Sequence, residues 1–257
     1  MASDTVNCVQ AYVPSVALRP FVRRILIIES AVAHKDNHLP DTGLVGVFRF
    51  RGDCLLQDGT AAPQAGITGI WDTLRSHRHS ADCASAIVSF TPTGAAAILR
   101  QSLEEFANTT IPVSEAFQRG ASLNSLSERL AAASDHSERF QIIERELLRN
   151  SVPFAPDMQV LEAVKMLEGS EAPLHIEALA NRLGLSQSAL ERRFRRLVGT
   201  TPRRFASLVR LKRVVQYKQS GLDLTSIAHA AGYYDQSHFI KDFQRFAGCS
   251  PAAYFRA

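Results

Sequence analysis

Ten basic residues and no acid lie between Arg192 and Lys218: Arg192, Arg193, Arg195, Arg196, Arg203, Arg204, Arg210, Lys212, Arg213 and Lys218. Cations at this density make a local field suited to phosphate, and arginine also carries the planar fork that matches a guanine edge. The rest of the chain has no comparable stretch. Residues 1–156 hold 14 basic and 16 acidic side chains, net −2, whereas residues 157–257 hold 15 and 9, net +6, and the formal charge of +4 averages over the two. A charge run on its own is usually a solvated helix face. What these cations do depends on the elements that carry them.

Those elements are written twice. Ala180 and Gly184 recur as Ala228 and Gly232 at an offset of 48; after one inserted turn residue, Ser186, Leu190, Phe194, Gly199, Pro202 and Phe205 recur as Asp235, Phe239, Phe243, Gly248, Pro251 and Tyr254 at an offset of 49. Each copy reads as helix, glycine turn, N-cap (Ser186 or Asp235), helix. That is the order of a helix-turn-helix, whose second helix enters a DNA major groove. The small Ala180 and Ala228 allow the paired helices to approach closely.

A 100° step per residue assigns faces on the second helices. With Leu190, Phe194 and Leu197 buried, Ser188, Arg192 and Arg195 point outward and Glu191 flanks them. With Phe239, Phe243 and Phe246 buried, Ser237, Lys241 and Gln244 point outward, with Gln236 and Ile240 at the flanks. Arg or Lys suits a guanine edge, Gln adenine and Glu cytosine, so both stripes are equipped to read bases.

Thr201-Pro202 and Ser250-Pro251 each read as an N-cap followed by a first-turn proline. The first predicts a helix from Pro202 to about Ser220, stopped before Gly221 and roughly 28 Å long at 1.5 Å per residue. A duplex turn is about 34 Å, so such a helix would set two recognition helices in successive major grooves. Arg196, Arg203, Arg204, Arg210 and Arg245, with Lys212, Arg213 and Lys218, are then placed for phosphate contacts, which position without reading sequence. A membrane-surface helix is the rival reading of the basic stretch. Its setting between the two copies favours DNA.

The C-terminal hundred residues resemble the AraC/XylS family of bacterial transcription regulators. The resemblance rests on Leu179-Ala180, Gly184-Leu185-Ser186, Leu190, Phe194, Gly199 and Thr201-Pro202 in the first copy. In the second it rests on Ile227-Ala228, Ala231-Gly232-Tyr233, Ser237-His238-Phe239, Phe243, Phe246, Gly248, Ser250-Pro251 and Tyr254. It implies base contacts from Ser188, Glu191, Arg192, Gln236, Ser237 and Lys241, promoter DNA as partner, and activation through RNA polymerase. The N-terminal part is similar to the sensing domains of uncharacterised members through Val13-Pro14-Ser15, Leu18-Arg19-Pro20-Phe21-Val22, Leu39-Pro40-Asp41 and Phe90-Thr91-Pro92-Thr93-Gly94. That similarity implies sensing or dimerisation, leaving a small-molecule effector and a homodimer open.

The N-terminal pattern itself reads as strands first and helices after. Phe21–Glu29, Leu44–Arg51, Gly66–Ile70 and Asp82–Phe90 are rich in β-branched and aromatic residues between Gly, Asp and Pro turns. After Thr91-Pro92-Thr93-Gly94 the period becomes helical over Ala95–Arg100, Ser125–Ala133 and Ser137–Arg149. The expected architecture is therefore an α+β domain, a small sheet or barrel plus helices, over residues 1–150. A proline-bearing linker follows at 151–156, and then an all-α domain over 157–257 with two helix-turn-helix motifs joined by a long helix. Asp157 should cap that domain's first helix, whose Val160, Leu161, Val164 and Leu167 form one apolar face ending at Gly169.

Other chemistry is weakly supported. No GxSxG, GxxxxGK[ST], HExxH or GxGxxG pattern is present, so neither catalytic residues nor a cofactor are assigned and the chain reads as a non-enzyme. Cys8, Cys54, Cys83 and Cys249 are scattered singly. The different-class alternative is a bifunctional protein whose N-terminal part does cysteine- or metal-based chemistry at Cys54 or Cys83 and uses the DNA-binding part for targeting. His77-Arg78-His79, extended, puts two imidazoles on one face with His34, His38, Asp82 and Cys83 nearby in sequence. With no third ligand at a definite spacing, no metal is assigned. Trp71 beside Asp72 could line an effector pocket, although a lone Trp more often packs. No charged leader precedes Val13, and every apolar run falls short of the roughly 18 residues that cross a bilayer, so a cytoplasmic protein without a membrane partner is expected.

Overall fold

The computed structural model describes residues 8–116, 123, 125–151, 155–170 and 174–256. Among the described residues eight strands come first, β1 Cys8–Tyr12, β2 Val22–Ser30, β3 His34–His38, β4 Val45–Arg51, β5 Cys54–Leu55, β6 Ala65–Thr68, β7 Arg75–His79 and β8 Cys83–Phe90, and a ninth, β9 Thr110–Pro112, follows the first helical turns. They form an antiparallel six-stranded sheet in the order β1-β2-β8-β4-β6-β9 and a three-stranded sheet in the order β3-β7-β5. The four predicted strands are β2, β4, β6 and β8, each within two residues of the expected bounds. Their branched and aromatic residues make the core: Ile25, Ile27, Phe48, Val88 and Phe90 are fully buried. Each such side chain contributes about 1.5–3 kcal/mol of transfer free energy. β3 (HKDNH) and β7 (RSHRH) carry no apolar residue, so hydrophobic alternation gave no sign of either strand.

The helices between the sheets and residue 151 are α1 Gly94–Leu99, a 3₁₀ turn Leu103–Phe106, α2 Val113–Ala116, α3 Leu126–Ala132 and α4 His136–Asn150. Asp135 caps α4 by accepting from the Glu138 N–H. Of the expected linker, residues 152–154 lie outside the described residues. Beyond it, α5 Met158–Gly169 is capped by Asp157, whose carboxylate accepts from the Val160 N–H. Val160, Val164 and Leu167 are buried as expected, joined by Ala163, while Leu161 is half-buried. Then come α6 Ile176–Arg182, α7 Gln187–Val198, α8 Pro202–Gln219, α9 Leu224–Ala230, α10 Gln236–Ala247 and α11 Pro251–Tyr254. The architecture is thus an α+β part followed by an all-helical part with two helix-turn-helix units joined by a long helix.

The two parts pack against each other through one buried apolar cluster that runs from the sheet to Phe246. Gly199 makes part of that contact possible. It ends α7 in the left-handed conformation (φ 84°), and a Cβ there would stand 2.9 Å from the Leu103 carbonyl oxygen of the 3₁₀ turn.

Candidate nucleic-acid interface

In the first unit α6 and α7 are joined by Leu183–Ser186, with Gly184 at φ 67°. Ser186 caps α7 by accepting from the Ala189 N–H. Leu190, Phe194 and Leu197 are buried against the rest of the domain. The opposite face carries Ser188, Arg192, Arg195 and Arg196, all exposed, and Glu191, half-buried. Glu191 accepts a hydrogen bond from Gln187 (2.9 Å) and sits 3.9 Å from Arg195, so the stripe is pre-arranged by its own side chains.

The second unit repeats this with one more turn residue, Ala231–Asp235, and Gly232 at φ 79°. Asp235 caps α10 through the His238 N–H, and Phe239, Phe243 and Phe246 are buried. Gln236, Ser237, Lys241, Gln244 and Arg245 are exposed along the other face. α8 separates the units with 18 residues, about 27 Å of helix. Thr201 caps it, accepting from the Arg204 N–H, and Pro202 occupies its first turn.

Five cations of the acid-free stretch are engaged within the protein. Arg193 donates to Asp157 (2.7 Å) and Gln159 (2.6 Å), tying α7 to α5. Arg204 donates to the Asp72 carbonyl oxygen (2.5 Å), pairs with the Asp72 carboxylate (2.9 Å) and stacks on Phe246 (4.4 Å). Burial lowers its guanidinium, an effect the Asp72 charge opposes. Arg210 lies over Tyr233 (5.4 Å) and 3.7 Å from Asp242. Lys212 pairs with Asp41 (3.4 Å), and Arg213 donates to the Glu168 and Ser170 carbonyls at the end of α5. Arg204 and Arg210, expected at phosphates, thus spend their charge on internal partners, whereas Arg196 and Arg203 are exposed. Arg245 is half-exposed, pairs with Asp242 and stacks on Phe246 (4.9 Å).

Asp242 is the hub of the second unit. Its buried carboxylate accepts from the Tyr233 hydroxyl (3.2 Å) and from Arg245 (2.5 Å). Burial, with the Asp242 charge, pushes the Tyr233 phenol up. Tyr234, next in the turn, is 93% exposed beside the N-terminus of α10. It escaped the face assignment because it belongs to the inserted turn, outside the helical period. Trp71 lies under the Arg75 guanidinium (5.2 Å), in the segment that reaches the second unit: the neighbouring Leu74 N–H donates to the Phe246 carbonyl (2.7 Å).

Comparison with known proteins bears on both parts. Residues 179–257 match a family described as a helix-turn-helix domain, and residues 10–112 match a domain of unknown function (DUF6597). The chain is similar to an uncharacterized HTH-type transcriptional regulator of Haemophilus influenzae, 30% identical over 115 residues, which is 44% of this chain and 39% of the relative. It is also similar to the RCS-specific HTH-type transcriptional activator RclR of Escherichia coli, 33% identical over 91 residues, 35% of this chain and 32% of that one. The C-terminal part is an AraC-type helix-turn-helix domain. The chain spans about a third to two fifths of the length of these curated relatives. Among solved structures, ToxT from Vibrio cholerae aligns over 96% of this chain and 98% of its own, at 12% identity and a TM-score of 0.47. Within the AraC-type domain, the two glycine turns and the two capped recognition helices fall at the repeated positions. No helix among the described residues is long and apolar enough to cross a membrane.

Proposed function

We propose that the protein is a sequence-specific DNA-binding transcription regulator whose N-terminal part senses a signal. The observation that carries this reading is the pair of capped recognition helices, each with an exposed stripe of base-reading chemistry, on an 18-residue spacer helix. In this reading Ser188, Glu191, Arg192, Arg195, Gln236, Ser237, Lys241 and Gln244 face base edges, with Tyr234 beside them. Arg196, Arg203 and Arg245 face phosphates; Arg204 and Arg210 join them only if their ties to Asp72 and Asp242 open. The regulator acts in the cytoplasm on promoter DNA, as an activator through RNA polymerase, with a small-molecule effector and a homodimer as further parts of the proposal.

The cysteine-based alternative is disfavoured by burial. Cys54 and Cys83 are 7% and 5% exposed, and burial pushes the Cys83 thiol up, away from the thiolate that a nucleophile needs. Selection of bound sequences from a random duplex pool, followed by competition at fixed salt, tests the main reading. An enriched motif with two half-sites about one duplex turn apart is expected. A pool that stays random, with equal affinity for all members, overturns it.

A further inference from the structure

The three-stranded sheet turns an unusual face inward. In antiparallel pairing, residues directly opposite each other share a face. The register puts His34 opposite His79, Asp36 opposite His77, His38 opposite Arg75 and Cys54 opposite His79. One face therefore presents four imidazoles, a carboxylate, a thiol and a guanidinium. The other presents Lys35, Asn37, Leu55, Ser76 and Arg78. The His77 and His79 side chains are only 16% and 18% exposed, while Lys35 and Arg78 are exposed. A sheet of this size ordinarily buries aliphatic side chains on its inner face, and here it buries donors.

The donors converge on Asp36. Its carboxylate oxygens lie 3.0 Å from His38 Nε2, 3.4 Å from His79 Nε2 and 3.9 Å from His77 Nδ1. Asp36 Oδ1 and His79 Nε2 are both buried, yet neither has a hydrogen-bond partner of acceptable geometry. Such orphans are costly unless something else satisfies them. Donors bound to one tetrahedral ion at 2.0–2.1 Å stand about 3.3 Å apart, and Asp36, His38 and His77 each offer one atom within 4.8 Å of the other two. Arg75, on the same face, lies over the Trp71 ring at 5.2 Å.

We propose that Asp36, His38 and His77, whose donor atoms lie within 4.8 Å of one another, hold one divalent transition-metal ion of the zinc class. Two imidazoles and one carboxylate form a borderline N/O set that suits zinc or its neighbours and is ill-suited to calcium or magnesium, which take oxygen ligands. The assignment does not rest on the DNA-binding reading. The sequence offered His77 and His79 two residues apart but no third ligand at a fixed spacing. Cross-strand register supplies Asp36 and His38 from β3, some forty residues away. A neighbouring triad, His34, His79 and Cys83, also has donor atoms within 4.8 Å of one another. It is the competing location on the same face.

The test uses the full chain without a histidine tag, stripped with EDTA and titrated with Zn²⁺ against a chromophoric chelator. One ion per chain is expected, together with a melting temperature that rises on adding Zn²⁺. Asp36→Asn, His77→Ala and His38→Ala should each weaken Zn²⁺ binding by about tenfold or more, and Cys83→Ser should leave it unchanged. His38 is 47% exposed, so its replacement keeps the test valid if a more buried variant fails to fold, and circular dichroism checks each fold. Loading with Co²⁺ should give visible d–d bands without a thiolate charge-transfer band. No Zn²⁺ binding, leaving a bare Asp36–histidine ion pair, overturns the proposal. So does binding undiminished in His38→Ala and His77→Ala, or a thiolate band that Cys83→Ser abolishes.

Discussion

The two helix-turn-helix units share a backbone plan and differ in how they are held. Arg193 of the first and Asp242 of the second occupy the same register position, 49 residues apart, and both turn inward. The first unit uses a cation there, reaching Asp157 and Gln159 of α5. The second uses an anion, gathering Tyr233, Arg210 and Arg245. Opposite charges thus do one job, fixing a recognition helix to its neighbours, and the geometry survives because each finds a complementary partner. The outer faces differ as well: the first unit presents Arg192, Arg195 and Arg196, whereas the second presents Lys241, Gln244 and Arg245. The first outer face therefore carries three cations and the second two. The N-terminal part touches both units, at Gly199 of the first through Leu103 and at Phe246 of the second through the Leu74 N–H.

The strongest perturbation is in the cores. Phe243→Ala opens a cavity among Phe239, Tyr254 and Phe255, and Leu190→Ala does so in the first unit; each should cost about 2–5 kcal/mol, read as a lowered melting temperature. A normal melting temperature would contradict the burial of either stripe. The inward pair separates the units more finely. Asp242→Ala strands Arg210 and Tyr233 and should cost about 1.5–3 kcal/mol in denaturant unfolding. Arg193→Ala should cost about 1 kcal/mol or less, because its side chain is 35% exposed. Equal losses would mean that the two anchors are energetically alike.

On DNA, Arg192→Ala and Lys241→Ala should each cost about 1–3 kcal/mol on the selected site and relax discrimination at the contacted base pair. A uniform loss on all sequences would reassign that side chain to the backbone. The smallest effect is expected from Asp72→Ala, which removes the carboxylate partner of Arg204 and leaves its hydrogen bond to the carbonyl of residue 72. The salt dependence of binding should steepen by about one counterion, with sequence preference unchanged. An unaltered salt slope would leave Arg204 as a purely internal clamp.

Much of the C-terminal part was legible because its signals are local. The caps Ser186, Asp235, Thr201 and Asp157, the glycines after the helices and the three-and-four spacing of Leu190, Phe194 and Leu197 act within one or two turns of chain. Even the inserted residue before α10 was visible as the change of offset. The N-terminal strands were legible only where a face is apolar. β3 and β7 were hidden because they bury imidazoles and a carboxylate where alternation arguments look for aliphatic side chains.

By itself, then, the sequence determined two helix-turn-helix units on a long helix, the stripes they bury and the stripes they expose. These follow from periodicity and capping, which a short window of residues fixes. Only the tertiary structure decided what the acid-free stretch does. Asp41, Asp72, Asp157 and Asp242 lie far from it or beyond its ends in sequence, yet they claim Lys212, Arg204, Arg193 and Arg210. Pairing across such separations depends on packing and strand register, which no local pattern encodes. The same physics gathers Asp36, His38, His77 and His79 onto one face of the small sheet.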